Sequence, residues 1–387
     1  MPRVDDDVVV IGIGETPVGK LPGMSSVQIQ ALAVREALKD CGLSVRDADG
    51  LVNLDPYATP NSMFSLTLLD YLGMRARFCA TVDVGGTVSA MTMLQQLVWA
   101  IRAGHCEVGV CVFGEDLNTG RPENMHGMVL HNLVGSEEWE EPYGVHGMVI
   151  PYAMVGQRYL SEFGATEDDL GAVAVVTREH ALLNDNAMMK KPITLDDYRN
   201  SRMISSPFRL LDCSLVSDGG GAIVLTTRKR ARQMGAQATT IRSMAMRATH
   251  NSVTQIPDID EYGMRDAGFD ALESAGVEPQ DMDVALLHDA FTVSVLITLE
   301  ALGFAPPGGG GAFVADGRAS LGGQCPVNPH GGLLSQAHIG GMLHLVEAVR
   351  QLRHEAGRRQ VEDARLAIAS GNGGIFSVCG VMIFERD

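Results

Sequence analysis

Two histidines occupy positions where an α/β protein commonly builds a reaction site. His288 directly follows the apolar run Val284–Leu287, which predicts that it lies at the carboxyl end of a buried strand. His338 follows the Gly331-Gly332 pair, just inside the helix that this pair is expected to open. Imidazole titrates near neutral pH, so either side chain could transfer a proton or polarise a carbonyl. A structural role for one or both is the alternative.

A second group of candidates surrounds two glycine-rich segments. The stretch Gly85–Ser89 opens an apolar helix, and a helix N-terminus favours an anionic nucleophile. The hydroxyl of Thr87 has a high pKa and a branched Cβ, so it is a poor nucleophile unless a base activates it. We expect it to pack or to cap the helix. Gly373 and Gly374 could offer backbone N–H groups to an oxyanion, or simply form a tight turn.

The composition argues against some classes of partner. The chain has 387 residues, 45% of them hydrophobic, and a formal net charge of −17. An acidic surface of this kind repels nucleic acid, although a few local arginines can still bind the phosphates of an anionic ligand. The candidates for such cations are Arg75, Arg77, Arg202 and Arg209.

The cysteines and the apolar segments indicate the compartment. Seven cysteines are scattered without a Cys-x-x-Cys pair, so the sequence predicts no metal site and a reducing cytoplasm is the simplest location. The acidic N-terminus is not a signal peptide, and no apolar run approaches the ~20 residues of a membrane helix. We therefore expect a cytoplasmic protein that does not insert into a membrane.

Strands and helices alternate along the chain, and the pattern occurs twice. A helix end, an acidic turn and a strand in Ala31–Asn53 recur in Gly268–Leu287. The helix that begins near Gly85 likewise matches one expected to begin at Gly331. Both elements recur in the same order, roughly 240 residues apart, which indicates two duplicated α/β halves. Chance similarity between Ala- and Leu-rich helices is the alternative.

The duplication suggests domain boundaries. We predict an N-terminal half formed by residues 1–116 and 211–236 and a C-terminal half formed by residues 237–387. Residues 117–210 would be a long insertion, of the kind that often carries a lid or a binding surface. Some of its side chains could line a lid, although a structural or solvated role is the simpler interpretation; they are His126, His131, Tyr143, His146 and Tyr152.

Nearly the whole chain resembles the thiolase superfamily, in particular its lipid-transfer or sterol-carrier-protein branch. His288–Phe291 matches the branch's His-Asp-x-Phe motif, and Asn328–His338 resembles the stretch that ends in Gly-His-Pro. Ser370–Gly374 resembles the terminal Cys-x-Gly-Gly-Gly loop, and Ser217–Leu225 the end of the first half. The resemblance implies the thiolase fold, an α/β fold with two duplicated halves in a layered αβαβα arrangement and a long insertion in the first half.

The resemblance also implies roles for individual residues. The family's nucleophilic motif, Cys-Ala-Ser/Thr-Gly-Ser, aligns with Gly85–Ser89, so Gly85 stands at the vacated nucleophile position and Thr87 nearby. Ser370 stands at the position of the second family cysteine. By the same resemblance His288 and His338 serve as oxyanion donor and acid/base, in an order left open, and Gly373 and Gly374 form the oxyanion hole.

Without the two cysteines, condensation and thiolysis lose their acyl-enzyme, whereas an acyl-CoA enolate needs only hydrogen-bond donors and an acid or base. Similarity to cysteine-free relatives in steroid side-chain degradation implies a retro-aldolase. It would cleave a bulky 3-hydroxyacyl-CoA into a ketone or aldehyde plus acetyl- or propionyl-CoA. Some of those aldolases are thought to use tyrosine, whereas this chain has His at both motif positions and no Tyr after Tyr262.

Two other functions stay open at this point. One is an atypical thiolase or acyltransferase that uses Thr87 or a relocated cysteine, and the other is a non-catalytic acyl-CoA-binding scaffold. The resemblance further implies a homodimer and a small OB-fold, zinc-ribbon, acyl-CoA-associated partner. It implies no cofactor, since the CoA thioester is the substrate.

Overall fold

The computed structural model describes residues 8–58, 60–120, 136–256 and 262–387. His126 and His131 lie outside these ranges. The strands are β1 (Val8–Glu15), β2 (Gly50–Asn53), β3 (Phe78–Thr81), β4 (Val108–Asp116), β5 (Met203–Ser205), β6 (Phe208–Arg209), β7 (Asp218–Thr227), β8 (Thr239–Ala248), β9 (Val284–Leu286), β10 (Leu366–Gly373) and β11 (Val378–Arg386). The helices are α1 (Ser26–Asp40), α2 (Phe64–Leu72), α3 (Val88–Arg102), α4 (Ser136–Trp139), α5 (Val149–Phe163), α6 (Glu167–Ala181), α7 (Leu195–Arg199), α8 (Arg228–Met234), α9 (Gly263–Ala275), α10 (Thr292–Ala301), α11 (Gly310–Ala315) and α12 (Met342–Leu352). Among these helices, none is long and apolar enough to cross a bilayer.

The order of the strands shows the duplication directly. Nine strands are hydrogen-bonded in the order β3-β2-β4-β7-β1-β8-β11-β10-β9. The series β2-β4-β7-β1 has one parallel and two antiparallel pairings, and the series β9-β10-β11-β8 repeats them in the same order. Helices α1 and α9 occupy equivalent places between strands, as do α3 and α12. The predicted pair of α/β halves is therefore present.

Alternate residues of each strand face different helical layers, because side chains along a strand point to opposite faces. Val9 packs with α1, α2 and α8, whereas its neighbour Val10 packs with α3 and α12. In the second half Val284 faces the same α3 and α12, and Ala285 faces α9, α10 and the insertion helices α5 and α6. The result is the five-layered αβαβα arrangement, with α3 and α12 as the central layer.

The described part of the 117–210 insertion contributes to the core as well as to the surface. Tyr159, Leu170 and Tyr198 have no exposed side-chain surface and pack in one cluster with residues of α10 and α11. Helices α5 and α6 therefore cover one face of the C-terminal half, so part of the insertion is core rather than lid.

Two helices begin later than their glycines predict. Gly85 and Gly86 have φ of 89° and 49°, so α3 starts only at Val88. The residues after Gly331 form a separate π-helical turn, Gly332–Gln336, and α12 starts at Met342. The prediction that His338 lies inside a helix is therefore wrong. It lies in the loop between that turn and α12, because Ala337 is extended and two left-handed glycines precede the helix.

Candidate active site

The start of α3, the end of β9 and the end of β10 meet at one point. Oγ1 of Thr87 lies 2.7 Å from Nδ1 of His288, a contact between residues 201 positions apart in the chain. The backbone N–H of Asn372 donates to Thr87 Oγ1 at 3.0 Å, and the N–H of Thr87 donates to the Asn372 carbonyl at 3.0 Å. The Thr87 side chain makes no capping bond to its own helix, so its expected role as a helix cap is wrong.

The contact with Thr87 fixes the tautomer of His288. The Thr87 hydroxyl accepts from Asn372, and its own proton faces either His288 Nδ1 at 2.7 Å or the Asn372 carbonyl at 3.3 Å. We assign the proton to the shorter contact, which places the imidazole proton of His288 on Nε2. Nε2 is buried and has no hydrogen-bond partner among the described residues. His288 therefore presents an unused N–H donor.

Burial keeps both candidate imidazoles uncharged. It lowers the pKa of His288 well below the ordinary value, and the nearby His338 and His344 oppose a positive charge further. Burial also lowers the pKa of His338 to about 4, against an opposite influence of Asp289. At neutral pH His338 is a free base and His288 a neutral donor.

His338 is held by the segment that leads into β7. Its Nδ1 lies 3.1 Å from Oγ of Ser214, and its backbone N–H donates to Oγ of Ser217 at 3.1 Å. Neither serine was singled out from the sequence. The sequence offered a signal for Ser217, which begins the stretch Ser217–Leu225 that resembles the end of the first half.

The backbone around His288 is fixed from three directions. Ser370, which the motif comparison predicts at the second cysteine position, accepts the backbone N–H of His288 at 3.2 Å. Nε2 of His344 lies 3.0 Å from the Leu287 carbonyl and 3.2 Å from Oδ1 of Asp289, so it contacts both sequence neighbours of His288. Asp289 also accepts the backbone N–H of Leu333 at 2.8 Å, which ties this segment to the turn before His338. Ser370 thus supports His288 instead of exposing a reactive group.

Gly85, the predicted position of the lost nucleophile, lies against the predicted oxyanion loop. A Cβ built on Gly85 would lie 3.4 Å from both Cα of Gly373 and N of Gly374. The phenol of Tyr152, from α5, donates to the Gly374 carbonyl at 2.9 Å. A side chain of the insertion therefore supports the loop that would bind an oxyanion.

Other candidates lie apart from this arrangement. Tyr143 is 83% exposed and His146 is also exposed, and neither is hydrogen-bonded to the two imidazoles in the described structure. Arg209 and Arg77 form ion pairs with Glu167 and Asp49, so these two cations are already engaged.

Cys379 does not replace the missing nucleophile. It is fully buried, burial raises the pKa of its thiol, and its Sγ contacts the Phe376 carbonyl at 3.4 Å. A thiol of this kind stays protonated at neutral pH, so it is a poor nucleophile.

Two duplicated α/β halves that enclose a site at the start of a central helix define the thiolase fold. Residues 245–386 match the family model described as Thiolase C-terminal domain-like. The chain is 35% identical to a steroid side-chain-cleaving aldolase of Thermomonospora curvata, over 94% of this chain and 95% of that protein. It is 35% identical to a 17-hydroxy-3-oxo-4-pregnene-20-carboxyl-CoA lyase of Mycobacterium tuberculosis, over 89% and 91%. It is also 36% identical to the benzoylsuccinyl-CoA thiolase subunit BbsB of Thauera aromatica, over 96% of each.

A solved structure gives the same result. The structure described as an Ltp2-ChsH2(DUF35) aldolase matches with a TM-score of 0.89 and 32% identity, over 99% of both chains. The chain therefore belongs to the thiolase superfamily, in the lipid-transfer branch that the motifs predicted.

Proposed function

We propose that this protein is an acyl-CoA carbon–carbon lyase that cleaves a bulky 3-hydroxyacyl-CoA by a retro-aldol reaction. The observation that carries the proposal is the buried, neutral His288, whose Nε2–H is unused beside a nucleophile position occupied by glycine. The aldolase and lyase relatives support the reaction class, in agreement with the sequence-based prediction. Their names favour a steroid side-chain ester as the substrate.

The reaction requires hydrogen-bond donors to the thioester oxygen and one base. Nε2–H of His288 and the backbone N–H groups of Gly373 and Gly374 bind the thioester oxygen. Neutral His338 removes the proton of the β-hydroxyl, and the Cα–Cβ bond breaks with its electron pair passing to the thioester as an enolate. A ketone or aldehyde leaves, and the imidazolium of His338 returns the proton to Cα. The products are the carbonyl compound and acetyl- or propionyl-CoA.

The lowered pKa values suit this division of roles. A neutral His288 donates from Nε2 without the cost of burying a cation. His338, with a pKa lowered to about 4, is unprotonated at neutral pH, and its conjugate acid is strong enough to protonate an enolate readily. Partial exposure of His338 leaves it accessible to a ligand.

The test is cleavage of a tertiary 3-hydroxyacyl-CoA by this protein together with its expected OB-fold partner. Release of acetyl- or propionyl-CoA is measured without added CoA. We expect His288→Ala and His338→Ala each to lower kcat by about 10²- to 10³-fold. His105→Ala, at an exposed histidine, is the matched control and should keep full activity. Absence of cleavage by the wild type would rule out the lyase function. Full activity of both site variants would favour the non-catalytic scaffold function.

The Thr87–His288 contact supports a second candidate, an acyltransferase. A hydroxyl 2.7 Å from an imidazole nitrogen is the geometry of a nucleophile and its base, and one relative is named as a thiolase subunit. Intact-mass measurement after incubation with an acyl-CoA distinguishes the candidates. An adduct that Thr87→Val abolishes would establish the acyltransferase. A lyase forms no adduct, and Thr87→Val then lowers kcat only by freeing the tautomer of His288.

We further propose that the protein acts in the cytoplasm as a homodimer, without a cofactor, and binds a small OB-fold, zinc-ribbon partner. Support for the partner comes from the solved aldolase structure, which is described as Ltp2-ChsH2(DUF35). Co-expression with such a protein and light scattering of the purified complex would test both the dimer and the partner. A monomer that does not retain the partner would contradict this assignment.

A further inference from the structure

Asn372 has a buried side chain without a partner. It is 1% exposed, and neither its Oδ1 nor its Nδ2 forms a hydrogen bond within the described structure. Its backbone, by contrast, is hydrogen-bonded to Thr87 through both N–H and carbonyl. Only the side chain of Asn372 therefore lacks hydrogen-bond partners.

A buried carboxamide without hydrogen-bond partners lowers the stability of the folded protein unless a ligand or a water molecule binds it. A buried polar group that lacks a partner costs roughly 1–3 kcal/mol. Asn372 carries a donor and an acceptor, so an apolar residue of similar size would avoid this cost twice. The cost indicates that a ligand or ordered water completes the carboxamide.

The strand geometry shows which face the side chain leaves from. A Cβ built on Gly371 would lie 2.9 Å from the backbone of Val88, on the side of α3. The alternation along β10 therefore directs Asn372 to the opposite face, which it shares with Ser370. Ser370 contacts the backbone N–H of His288. Asn372 thus lies between the support of His288 and the Gly373–Gly374 loop.

We propose that the Asn372 carboxamide binds the β-hydroxyl of the substrate, an inference that rests on the proposed lyase function. Nδ2 donates to the hydroxyl oxygen, which leaves the hydroxyl proton for His338, and Oδ1 accepts from ordered water. The bond orients the oxygen at Cβ and selects 3-hydroxyacyl thioesters over saturated ones. When His338 removes the hydroxyl proton, the same Nδ2–H stabilises the negative charge that develops on that oxygen, and this charge passes to the thioester oxygen as the Cα–Cβ bond breaks.

The experiment compares the binding of 3-hydroxydecanoyl-CoA and decanoyl-CoA, which differ only in the hydroxyl. Calorimetry is done in a His338→Ala background, where turnover of the hydroxy ester is expected to be about 10²- to 10³-fold slower. We expect the hydroxy ester to bind about 3- to 10-fold more tightly, as one neutral hydrogen bond allows. Adding Asn372→Ala should reduce this ratio to about one and leave the affinity for decanoyl-CoA unchanged.

Asn186→Ala is the matched control, because Nδ2 of Asn186 donates to the Thr16 carbonyl at 2.9 Å. It should lower the melting temperature and keep the ratio. Asn372→Ala loses no internal side-chain bond and should not lower the melting temperature. A fall in stability with equal weakening of both esters would make Asn372 structural and overturn the proposal.

The two proposals can fail separately. If the wild type cleaves no 3-hydroxyacyl-CoA but the preference for the hydroxy ester disappears in Asn372→Ala, the lyase is lost and the hydroxyl contact stands. If the wild type is an active lyase and the preference is absent from the parent or persists in Asn372→Ala, the lyase stands and the contact is overturned.

Discussion

At the scale of single residues, the candidate site combines groups that are unreactive alone. The hydroxyl of Thr87 links two other residues: it accepts the backbone N–H of Asn372 and contacts Nδ1 of His288. The hydroxyl fixes the tautomer of His288, and burial prevents its protonation. A sulfur nucleophile is not required for an enolate to be stabilised in such an environment.

The first residue-scale prediction concerns pH. Below its pKa of about 4, His338 carries a proton and cannot accept another from the substrate; above it, the base is free. Therefore kcat/KM should rise with pH through an apparent pKa near 4 and not near 6.5, the ordinary value for imidazole. A pH–rate profile measured where the protein stays folded checks this. An acidic limb with an apparent pKa near the ordinary imidazole value would show that His338 is not the base.

The second residue-scale prediction concerns Tyr152, which supports the predicted oxyanion loop. Tyr152→Phe keeps the ring that stacks on Phe291 with centroids 4.6 Å apart and removes only the hydrogen bond to Gly374. We expect kcat to fall about 3- to 10-fold with little change in KM, because the bond supports oxyanion donors. Tyr143→Phe, at an exposed phenol, is the control and should behave as the wild type. Equal kinetics for the two variants would show that Tyr152 does not contribute to catalysis.

At the scale of elements, the site depends on how closely the starts of α3 and α12 approach. Gly341, which precedes α12, has φ of 78°, and a Cβ there would lie 2.6 Å from Cβ of Thr87. A larger residue would separate the two central helices where Thr87 meets His288. The late start of α12 therefore leaves a glycine at the position that contacts Thr87.

Gly341→Ala tests this approach against Gly235→Ala. Both glycines have left-handed φ, but a Cβ at Gly235 meets nothing within 4 Å. The strain alone costs about 1–2 kcal/mol, which we expect for Gly235→Ala with full activity. Gly341→Ala should lose a further ~1–3 kcal/mol through overpacking, and kcat should fall with it. Denaturant unfolding and kinetics measure both; equal losses in the two variants would contradict the steric argument.

At the scale of the whole molecule, the core contains several histidines that must stay neutral. Burial lowers the pKa of His180, His288 and His330 in the core, and also that of the partly exposed His338. His180 is fully bonded in its neutral form, between the Val327 carbonyl and the N–H of Leu321. Both ring nitrogens of His330 have no partner in the described structure. These groups make folding sensitive to acid.

The sign of this sensitivity follows from proton binding. Well above the ordinary imidazole pKa of about 6.5, these histidines are neutral in both states and contribute no pH dependence. Below it the unfolded chain binds protons that the folded chain cannot, so the free energy of unfolding should fall as pH decreases. Urea unfolding at several pH values measures the slope. His330→Phe should reduce it, and an unchanged slope in that variant would show that His330 is not part of the effect.

Local patterns in the sequence determined much of this protein. The repeat, the alternation of strands and helices, and the motifs around His288 and His338 identified the thiolase fold and the branch. The sequence also predicted a vacated nucleophile position at Gly85 and a vacated second cysteine position at Ser370, since the family motifs have cysteine at both places. These features depend on spacing along the chain, which the sequence displays directly.

Only the tertiary structure decided the contacts that give the site its chemistry. The bond between Thr87 and His288 and the support of His338 by Ser214 join segments that are far apart in the chain. The lack of a partner for the Asn372 carboxamide likewise depends on which distant groups pack around it. The same is true of α5 and α6, whose burial against the C-terminal half was not predicted. Hydrogen-bond partners and burial depend on how the layers pack, and a periodic pattern along one segment carries no information about which distant segment it will meet.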